Sequence, residues 1–205
     1  MKSVAIIDYG MGNLDSVARA VEECGGRPVV TGNPGDLASA TSIILPGVGA
    51  FSEGMRNIRR LGFDVALEEE VLGKGIPFLG LCLGMQLIAT RGSEGGDTLG
   101  LGWIDAEIVR LEAREPGERV PHVGWNEVHL LRASALFPDP ALRRDFYFVH
   151  SYCMQPEDPE VVLATTPYCG GFASVIGRDN VFGLQFHPEK SSRSGFDVLT
   201  NFLAL

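Results

Sequence analysis

The fold of this chain is decided by the segment IPFLGLCLGMQLIA at residues 76–89. The apolar residues before Gly80 predict a buried strand, and the helix formers Met85 to Ala89 predict a helix. Cys82 lies between them, with Gly80 and Gly84 two residues away on either side. Glycines at these positions permit a sharp turn from strand to helix without Cβ clashes. The segment therefore predicts a nucleophile elbow with a cysteine at its tip.

A cysteine at the start of a helix can be activated by the backbone around it. The free N–H groups and the positive end of the helix dipole favour thiolate over thiol, and the N–H of Leu83 can receive an oxyanion. Most cysteines in apolar surroundings are structural instead. The paired glycines favour the catalytic interpretation for Cys82.

The best candidate for a partner base lies in the segment GLQFHPEKS at residues 183–191. Pro188 favours an extended backbone at His187, and in an extended segment residues two apart face the same side. Glu189 can therefore hold one tautomer of the His187 ring, as a nucleophile's base requires. His150 is the alternative base, and it ranks second because it has no acidic neighbour in the sequence.

Composition limits the classes of function. The formal net charge is -9 without a basic run, which argues against nucleic acid or an anionic membrane as a partner. With 205 residues, 45% of them hydrophobic, we expect a single domain over residues 1–205. The N-terminal apolar run is too short for a signal peptide, and the longest apolar stretch, residues 76–89, is interrupted too often to span a membrane. We expect a cytoplasmic protein.

Metal and cofactor motifs are missing from the sequence. Its four cysteines show no C-x-x-C spacing, and His122 and His129 are too far apart to form a convincing metal motif. We therefore expect neither a metal nor another cofactor.

Strand and helix signals alternate in the first half and predict a largely parallel sheet flanked by helices. The predicted strands are 4–8, 27–31, 42–45 and 76–79, and the predicted helices are 14–24, 36–40, 53–61, 64–72 and 85–89. Sheets of this kind hold their sites at the carboxyl ends of the strands, where Tyr9-Gly10, Pro46-Gly47 and Cys82 all fall. Three loops should therefore converge at one edge.

The second half predicts short antiparallel and mixed strands that extend the same sheet. These strands are 103–111, 123–131, 145–151, 161–166, 172–177 and 181–186, and a helix at 197–205 closes the chain. We expect a glycine-rich loop at 91–100 and a solvated hairpin loop at 112–119. The predicted class is a mixed α/β fold with additional antiparallel strands.

Six stretches together carry a family resemblance: YGMGN (9–13), PGVGAF (46–51), GLCLGMQ (80–86), PHVGWN (121–126), FVHSY (148–152) and FHPEKS (186–191). The elbow and FHPEKS resemble the class I (triad) glutamine amidotransferases. As a set, the six resemble the glutaminase subunits of imidazole glycerol phosphate synthase, over nearly the whole chain. The resemblance implies a flavodoxin-like fold and a Cys82–His187–Glu189 triad that releases ammonia from glutamine.

The resemblance also implies the remaining site residues. It assigns the oxyanion hole to Gly47, Val48 and Leu83, and the glutamine contacts to Gly49, Gln86, Ser151 and Tyr152. The loop 46–51 carries no ionisable group, so it can act only through backbone N–H groups. From the residues alone, an ordinary strand-to-helix turn explains this loop equally well.

The resemblance also implies a partner protein. The resemblance implies a heterodimer with a (βα)₈-barrel synthase subunit that makes imidazole glycerol phosphate and AICAR in histidine biosynthesis. The residues that should face this partner are Asn13, Trp125, Asn126, Tyr147 and Lys190. The alternatives are a glutaminase subunit of another synthase, such as the one for pyridoxal phosphate, a thiol peptidase, or an inactive docking protein of the same fold.

Overall fold

The computed structural model describes residues 2–139 and 144–205. The strands are β1 (Ser3–Ile7), β2 (Arg27–Thr31), β3 (Ser42–Leu45), β4 (Phe78–Leu81), β5 (Ala89–Gly92), β6 (Thr98–Leu99), β7 (Ile104–Arg110), β8 (His122–Leu130), β9 (Arg144–His150), β10 (Tyr152–Pro156), β11 (Val162–Thr166), β12 (Phe172–Arg178) and β13 (Val181–Leu184). The α-helices are α1 (Leu14–Glu23), α2 (Phe51–Leu61), α3 (Phe63–Leu67), α4 (Leu83–Leu87) and α5 (Ser192–Leu203). Short 3₁₀ turns cover Pro34–Ser39, Pro159–Val161 and Pro188–Lys190, and a π-helix covers Glu68–Gly73.

A nine-stranded sheet forms the centre of the fold, in the order β2-β1-β3-β4-β13-β12-β11-β8-β9. The first five strands are parallel and the remaining neighbours are antiparallel. Strands β3, β4 and β13 are buried along their whole length, which explains their nearly continuous apolar sequences. The predicted mixed sheet is confirmed, but it is not largely parallel, because four of its eight described strand pairings are parallel and four are antiparallel.

Helices cover both faces of this sheet. Successive side chains of β1 point to opposite faces and pack into two hydrophobic clusters. Ala5 and Ile7 belong to the cluster that contains α2, α3 and α4. Val4 and Ile6 belong to the other cluster, which contains α1 and α5. Asn13 caps α1 by accepting from the Ser16 amide at 3.4 Å, as the sequence predicted.

The prediction that every later strand extends one sheet is wrong. Strands β7 and β10 instead form a four-stranded sheet with β5 and β6, in the order β10-β7-β5-β6. The sequence analysis missed β5, β6 and β10 and assigned residues 91–100 to a loop. The segment 112–119 consequently links the two sheets and does not close a hairpin.

The helix after the elbow is also shorter than predicted. It ends at Leu87, and Ala89 already begins β5. The carbonyls at the helix end accept hydrogen bonds from a distant loop, with Leu101 donating to Leu87 at 2.8 Å and Trp103 donating to Ile88 at 2.9 Å. These tertiary contacts outweigh the helix propensity of the segment.

The predicted helix 64–72 continues as a π-helix after Leu67. Among the described residues, no helix has the length and apolar character needed to cross a membrane.

Candidate active site

The elbow places Cys82 in a conformation that few non-glycine residues adopt. Its φ is 51° and its ψ is -106°, and such backbone strain costs about 1–3 kcal/mol. A Cβ on Gly84 would lie 1.8 Å from the Leu45 carbonyl oxygen, and one on Gly80 would lie 2.5 Å from the Gly84 carbonyl oxygen. Both glycines are therefore required, because α4 begins in backbone contact with β3 and β4.

The pairing of β13 with β4 brings the distant histidine to the cysteine. Leu184 is in register with Leu81, and the Cys82 amide donates to the Leu184 carbonyl at 2.7 Å. His187 follows three residues later, where its amide donates to the Tyr147 carbonyl at 2.9 Å. The turn after β13 is thus anchored to β9.

His187 and Glu189 form a buried pair. His187 Nδ1 lies 2.8 Å from Glu189 Oε1, and the two side chains are 4% and 2% exposed. Burial alone would lower the pKa of His187, but hydrogen bonding to Cys82 and Glu189 and the charges on both raise it to about 10. The predicted extended conformation at His187 is confirmed, whereas Glu189 lies in a 3₁₀ turn and still reaches the ring.

The cysteine thiol borders the second ring nitrogen of His187. Cys82 Sγ lies 3.8 Å from the Val149 carbonyl oxygen and 3.7 Å from Gln185 Nε2. Apart from Cys82, no side chain in the described part of the protein reaches His187 Nε2. Because Nδ1–H donates to Glu189, the neutral ring carries its lone pair on Nε2. The raised pKa of His187 favours transfer of the thiol proton to this nitrogen, where Glu189 stabilises the charged ring.

His150, the alternative base, has no ring nitrogen available. Its Nδ1 lies 2.9 Å from the Tyr152 carbonyl oxygen, and its Nε2 lies 3.1 Å from His122 Nδ1. Burial lowers the pKa of His150 to about 3. This histidine is therefore suited to hold its neighbours in place, not to take a proton from a thiol.

The loop before α2 occupies the predicted oxyanion site with its own carbonyl. The Leu83 amide donates to the Gly47 carbonyl at 3.3 Å. In a trans peptide the N–H points opposite to the C=O, so the Val48 amide is turned away from Leu83. A Cβ on Gly47 would lie 2.2 Å from Tyr9 Oη, so the loop packs tightly at this position.

A cavity of about 340 Å³ opens beside Cys82. It is lined by Val48, Gly49, Ala50, Cys82, Leu83, Gln86, Glu94, Pro121, Val149, His150, Ser151 and Tyr152. This set includes all four residues that the resemblance implied for glutamine contacts. The structure therefore brings Gly49, Gln86, Ser151 and Tyr152 together around the candidate nucleophile.

The Gln86 amide is less free than the sequence suggested. Its Nε2 donates to the Tyr152 carbonyl at 2.9 Å and to Gln185 Oε1 at 3.1 Å. Both N–H groups are thus engaged inside the protein, and the side chain is buried. Gln86 has only its carbonyl oxygen to offer a ligand.

Glu94 is a cavity residue that the sequence analysis missed. It lies in the hairpin between β5 and β6, and its Oε2 accepts from the Phe51 amide at 3.1 Å. Burial raises its pKa. No sequence signal distinguishes Glu94 from the other acidic residues, because only the pairing of β5 with β7 carries this hairpin to the cavity.

A larger cavity of about 670 Å³ lies along β7, β10 and β12. Cys153 and Cys169 line it, and burial raises the pKa of both thiols, that of Cys153 to about 12. Thiols that stay protonated are poor nucleophiles. We therefore assign the candidate active site to the smaller cavity at Cys82.

Two of the predicted docking residues, Trp125 and Tyr147, lie near the outer edge of the large sheet. Trp125 on β8 is 52% exposed and stands in register with Tyr147 on β9, with ring centroids 6.2 Å apart. Lys190 Nζ lies 6.0 Å from the Tyr147 ring. Asn126 points inward to His122, and Asn13 is exposed at the start of α1.

Comparison with known sequences agrees with this geometry. A family model described as glutamine amidotransferase class-I matches residues 5–204. The chain is 50% identical over 202 residues to imidazole glycerol phosphate synthase subunit HisH of Moorella thermoacetica, covering 98% of this chain and 94% of that relative. It is 45% identical over 202 residues to subunit HisH 1 of Campylobacter jejuni, covering 98% and 100% of the two chains.

Solved structures share the fold at much lower identity. The PurLQS structure from Thermotoga maritima matches with a TM-score of 0.78 at 18% identity, covering 100% of this chain and 99% of that one. The glutaminase domain of Trypanosoma brucei CTPS with bound acivicin matches with a TM-score of 0.71 at 16% identity, covering 100% and 93%. The chain therefore belongs to the class-I glutamine amidotransferase family, among the subunits named HisH.

Proposed function

We propose that this chain is the glutaminase subunit of imidazole glycerol phosphate synthase, acting in the cytoplasm to supply ammonia to a (βα)₈-barrel synthase subunit. The observation that carries the proposal is the buried His187–Glu189 pair beside Cys82, at the mouth of a cavity large enough for one amino acid. A thiol at a helix start beside an oriented imidazole is the arrangement that attack on an amide requires.

Three side chains have separate roles in the proposed reaction. Cys82 gives its proton to His187 Nε2, whose pKa is raised, and Sγ then attacks the side-chain amide carbon of glutamine as a thiolate, so that the carbonyl oxygen becomes an oxyanion. The protonated His187 then gives its proton to the departing nitrogen, which leaves as ammonia and a glutamyl thioester remains. Water, deprotonated by His187, releases glutamate and restores the thiol. Glu189 holds the ring and stabilises its charged form.

The cavity walls match the two charged ends of glutamine. Glu94 and the Gln86 carbonyl oxygen are acceptors suited to the α-ammonium group. Backbone groups of Gly49, Ser151 and Tyr152 line the cavity too and would bind the α-carboxylate. Glutamine held in this way places its side-chain amide at Cys82.

We further propose that the synthase partner controls the oxyanion hole. With the Gly47 carbonyl on the Leu83 amide, the hole lacks the donors that a tetrahedral intermediate needs. Turning the Gly47–Val48 peptide would expose the Leu83 amide and add that of Val48. Each such donor is worth about 10²- to 10³-fold in rate. Docking at Trp125, Tyr147 and Lys190 would favour the turned state.

The proposed docking surface is hydrogen-bonded to the backbone of the proposed triad. The Tyr147 backbone accepts from the His187 amide at 2.9 Å and donates from its own N–H to Ser191 Oγ at 3.0 Å. Ser191 Oγ in turn donates to the His187 carbonyl at 2.6 Å. A partner that contacts Tyr147 would therefore act on the backbone of the base.

The test measures glutamine hydrolysis by the free subunit, by its complex with the barrel synthase, and by the complex loaded with the nucleotide-derived acceptor. We expect a stepwise rise, and Val48→Pro, which lacks the amide hydrogen, should not show it. Equal rates in all three states would refute the switch. Hydrolysis of peptides in preference to glutamine would favour the thiol peptidase. Activation by a different synthase would favour a glutaminase subunit of that other synthase.

Replacement of Cys82 tests the nucleophile separately. Cys82→Ala should abolish glutamine hydrolysis while the subunit still binds its partner, because the thiol fills little volume. Ammonium salts should still support product formation by the complex. Glutamine hydrolysis near the unmodified rate would exclude Cys82.

A further inference from the structure

Beside the triad lies a chain of hydrogen-bonded side chains that the proposed reaction does not use. Asn126 Nδ2 lies 3.3 Å from His122 Nε2, and His122 Nδ1 lies 3.1 Å from His150 Nε2. His150 Nδ1 completes the chain at 2.9 Å from the Tyr152 carbonyl oxygen. The two histidines are register partners on β8 and β9.

The direction of every hydrogen bond in this chain follows from its two ends. A carbonyl oxygen only accepts, so His150 donates from Nδ1 to Tyr152 and must accept at Nε2. His122 therefore donates from Nδ1 and accepts at its own Nε2. Asn126 Oδ1 already accepts from the Glu127 amide at 2.8 Å, which leaves its Nδ2 to donate to His122. All donors point the same way, from Asn126 to Tyr152.

Packing keeps both rings in this arrangement. The His122 ring is stacked between Tyr168 and Phe148, with centroids at 4.0 and 4.9 Å, and both histidines are buried. Burial lowers the pKa of His122 to about 4 and that of His150 to about 3, so both are neutral near pH 7. Neutral rings can each donate once and accept once, as the chain requires.

The ends of the chain lie at two functionally distinct places. Asn126 follows the exposed Trp125 and belongs to the proposed docking surface. The Tyr152 carbonyl at the other end also accepts from Gln86 Nε2 at 2.9 Å, and both residues line the cavity at Cys82. A change at Asn126 would therefore alter the groups that hold Tyr152 and Gln86.

We propose that His122 and His150 are positioning residues that couple the docking surface to the glutamine cavity. The inference rests on the proposed function, because it needs both a docked partner and bound glutamine. The chain holds the Tyr152 carbonyl, and through it Gln86, in the geometry that binds glutamine. Docking at Asn126 then changes glutamine binding through two buried rings that touch neither the partner nor the reacting atoms.

The test uses substitutions that break the chain of hydrogen bonds at different points. His122→Asn keeps a donor at the Nδ1 position, toward His150, but removes the acceptor for Asn126. His122→Phe keeps the stacked ring and removes both groups. His129 lies on the same strand, 37% exposed and paired with Glu127, so His129→Asn is the matched control.

Glutamine KM and kcat are measured for the free subunit and for the complex with the barrel synthase, together with the Kd of the complex. For His122→Asn we expect an unchanged Kd of the complex and an effect of the partner on KM about five- to tenfold smaller than in the unmodified protein. His122→Phe should also raise KM in the free subunit, with kcat little changed. His129→Asn should match the unmodified protein.

Two kinetic outcomes would overturn the inference. If the partner changes KM of the unmodified protein and of His122→Asn equally, the coupling is excluded while the proposed function stands. If the partner changes neither KM nor kcat of the unmodified complex, the proposed switch fails together with the coupling. Nitrogen-15 NMR of the unmodified protein needs no variant to fold. It should show the proton on Nδ1 of both histidines. An Nε2–H tautomer in either ring would contradict the assigned directions of the hydrogen bonds.

Discussion

Replacing Val48 with Gly should activate the free subunit in the absence of any partner. Turning the Gly47–Val48 peptide rotates ψ of Gly47 and φ of Val48 by about half a turn each. Val48 has a negative φ in the structure, so the turned state gives this β-branched residue a positive φ. Glycine adopts such a φ without penalty. We therefore expect the valine side chain to keep the proposed oxyanion hole closed.

The expected size follows from the backbone strain. A non-glycine residue with positive φ costs about 1–3 kcal/mol, which corresponds to about 5- to 150-fold in the population of the turned state. The side chain itself is 43% exposed, so its removal loses little packing. The basal rate of glutamine hydrolysis by Val48→Gly should rise by a factor within this range.

The assay is ammonia release by the free subunit at saturating glutamine. Val48→Ala is the matched control, because alanine also removes the isopropyl group but keeps the penalty for a positive φ. The partner should activate Val48→Gly less than the unmodified protein, since part of the shift has already occurred. Equal basal rates for Val48→Gly and Val48→Ala would refute the reasoning.

Three further predictions concern the triad, the elbow and the histidine pair. His187→Ala should reduce glutamine turnover to near background, whereas Glu189→Gln should retain about 100-fold more activity than His187→Ala. Comparable triads lose about 10⁶-fold in rate without the base and about 10⁴-fold without the orienting acid. Gly84→Ala should lower the free energy of unfolding in urea by about 1–3 kcal/mol or more, since its Cβ would lie 1.8 Å from a backbone oxygen; unchanged stability would contradict the close contact. The lowered pKa values of His122 and His150 mean that the unfolded protein binds two more protons between about pH 4 and 6.5, so the contribution of this pair to stability should be full above pH 6.5 and fall toward pH 4 by up to about 2.7 kcal/mol per pH unit. Urea unfolding at several pH values should show this slope, and a double substitution of both histidines by Phe should flatten it.

The first half of the fold could be predicted because its signals are local. Strand β2 and strand β3 begin and end where the sequence placed them, and α1 follows the predicted Asn13 cap. Each of these boundaries depends on a cap, a glycine pair or an apolar run that acts within a few residues.

The second half could be predicted only in part, because strand partners are chosen over long distances. The sequence located β7 and β8 within a residue or two but assigned both to one sheet, whereas β7 pairs with β10 and β5. Periodicity identifies a strand without identifying its neighbour. The same limit hid Glu94, whose place at the cavity depends on that pairing.

The sequence by itself determined the elbow, since the clash that makes Gly80 necessary arises within one strand-to-helix turn; the clash at Gly84 involves the Leu45 carbonyl on β3 and depends on the tertiary structure. It also determined the pairing of His187 with Glu189, because the two are neighbours along the chain. Only the tertiary structure decided which histidine stands free beside Cys82. His187 presents its Nε2 to Cys82, while His122 on β8 and the Tyr152 carbonyl on β10 engage both nitrogens of His150. Availability of a proton acceptor depends on every group that packs around it, and those groups come from distant strands.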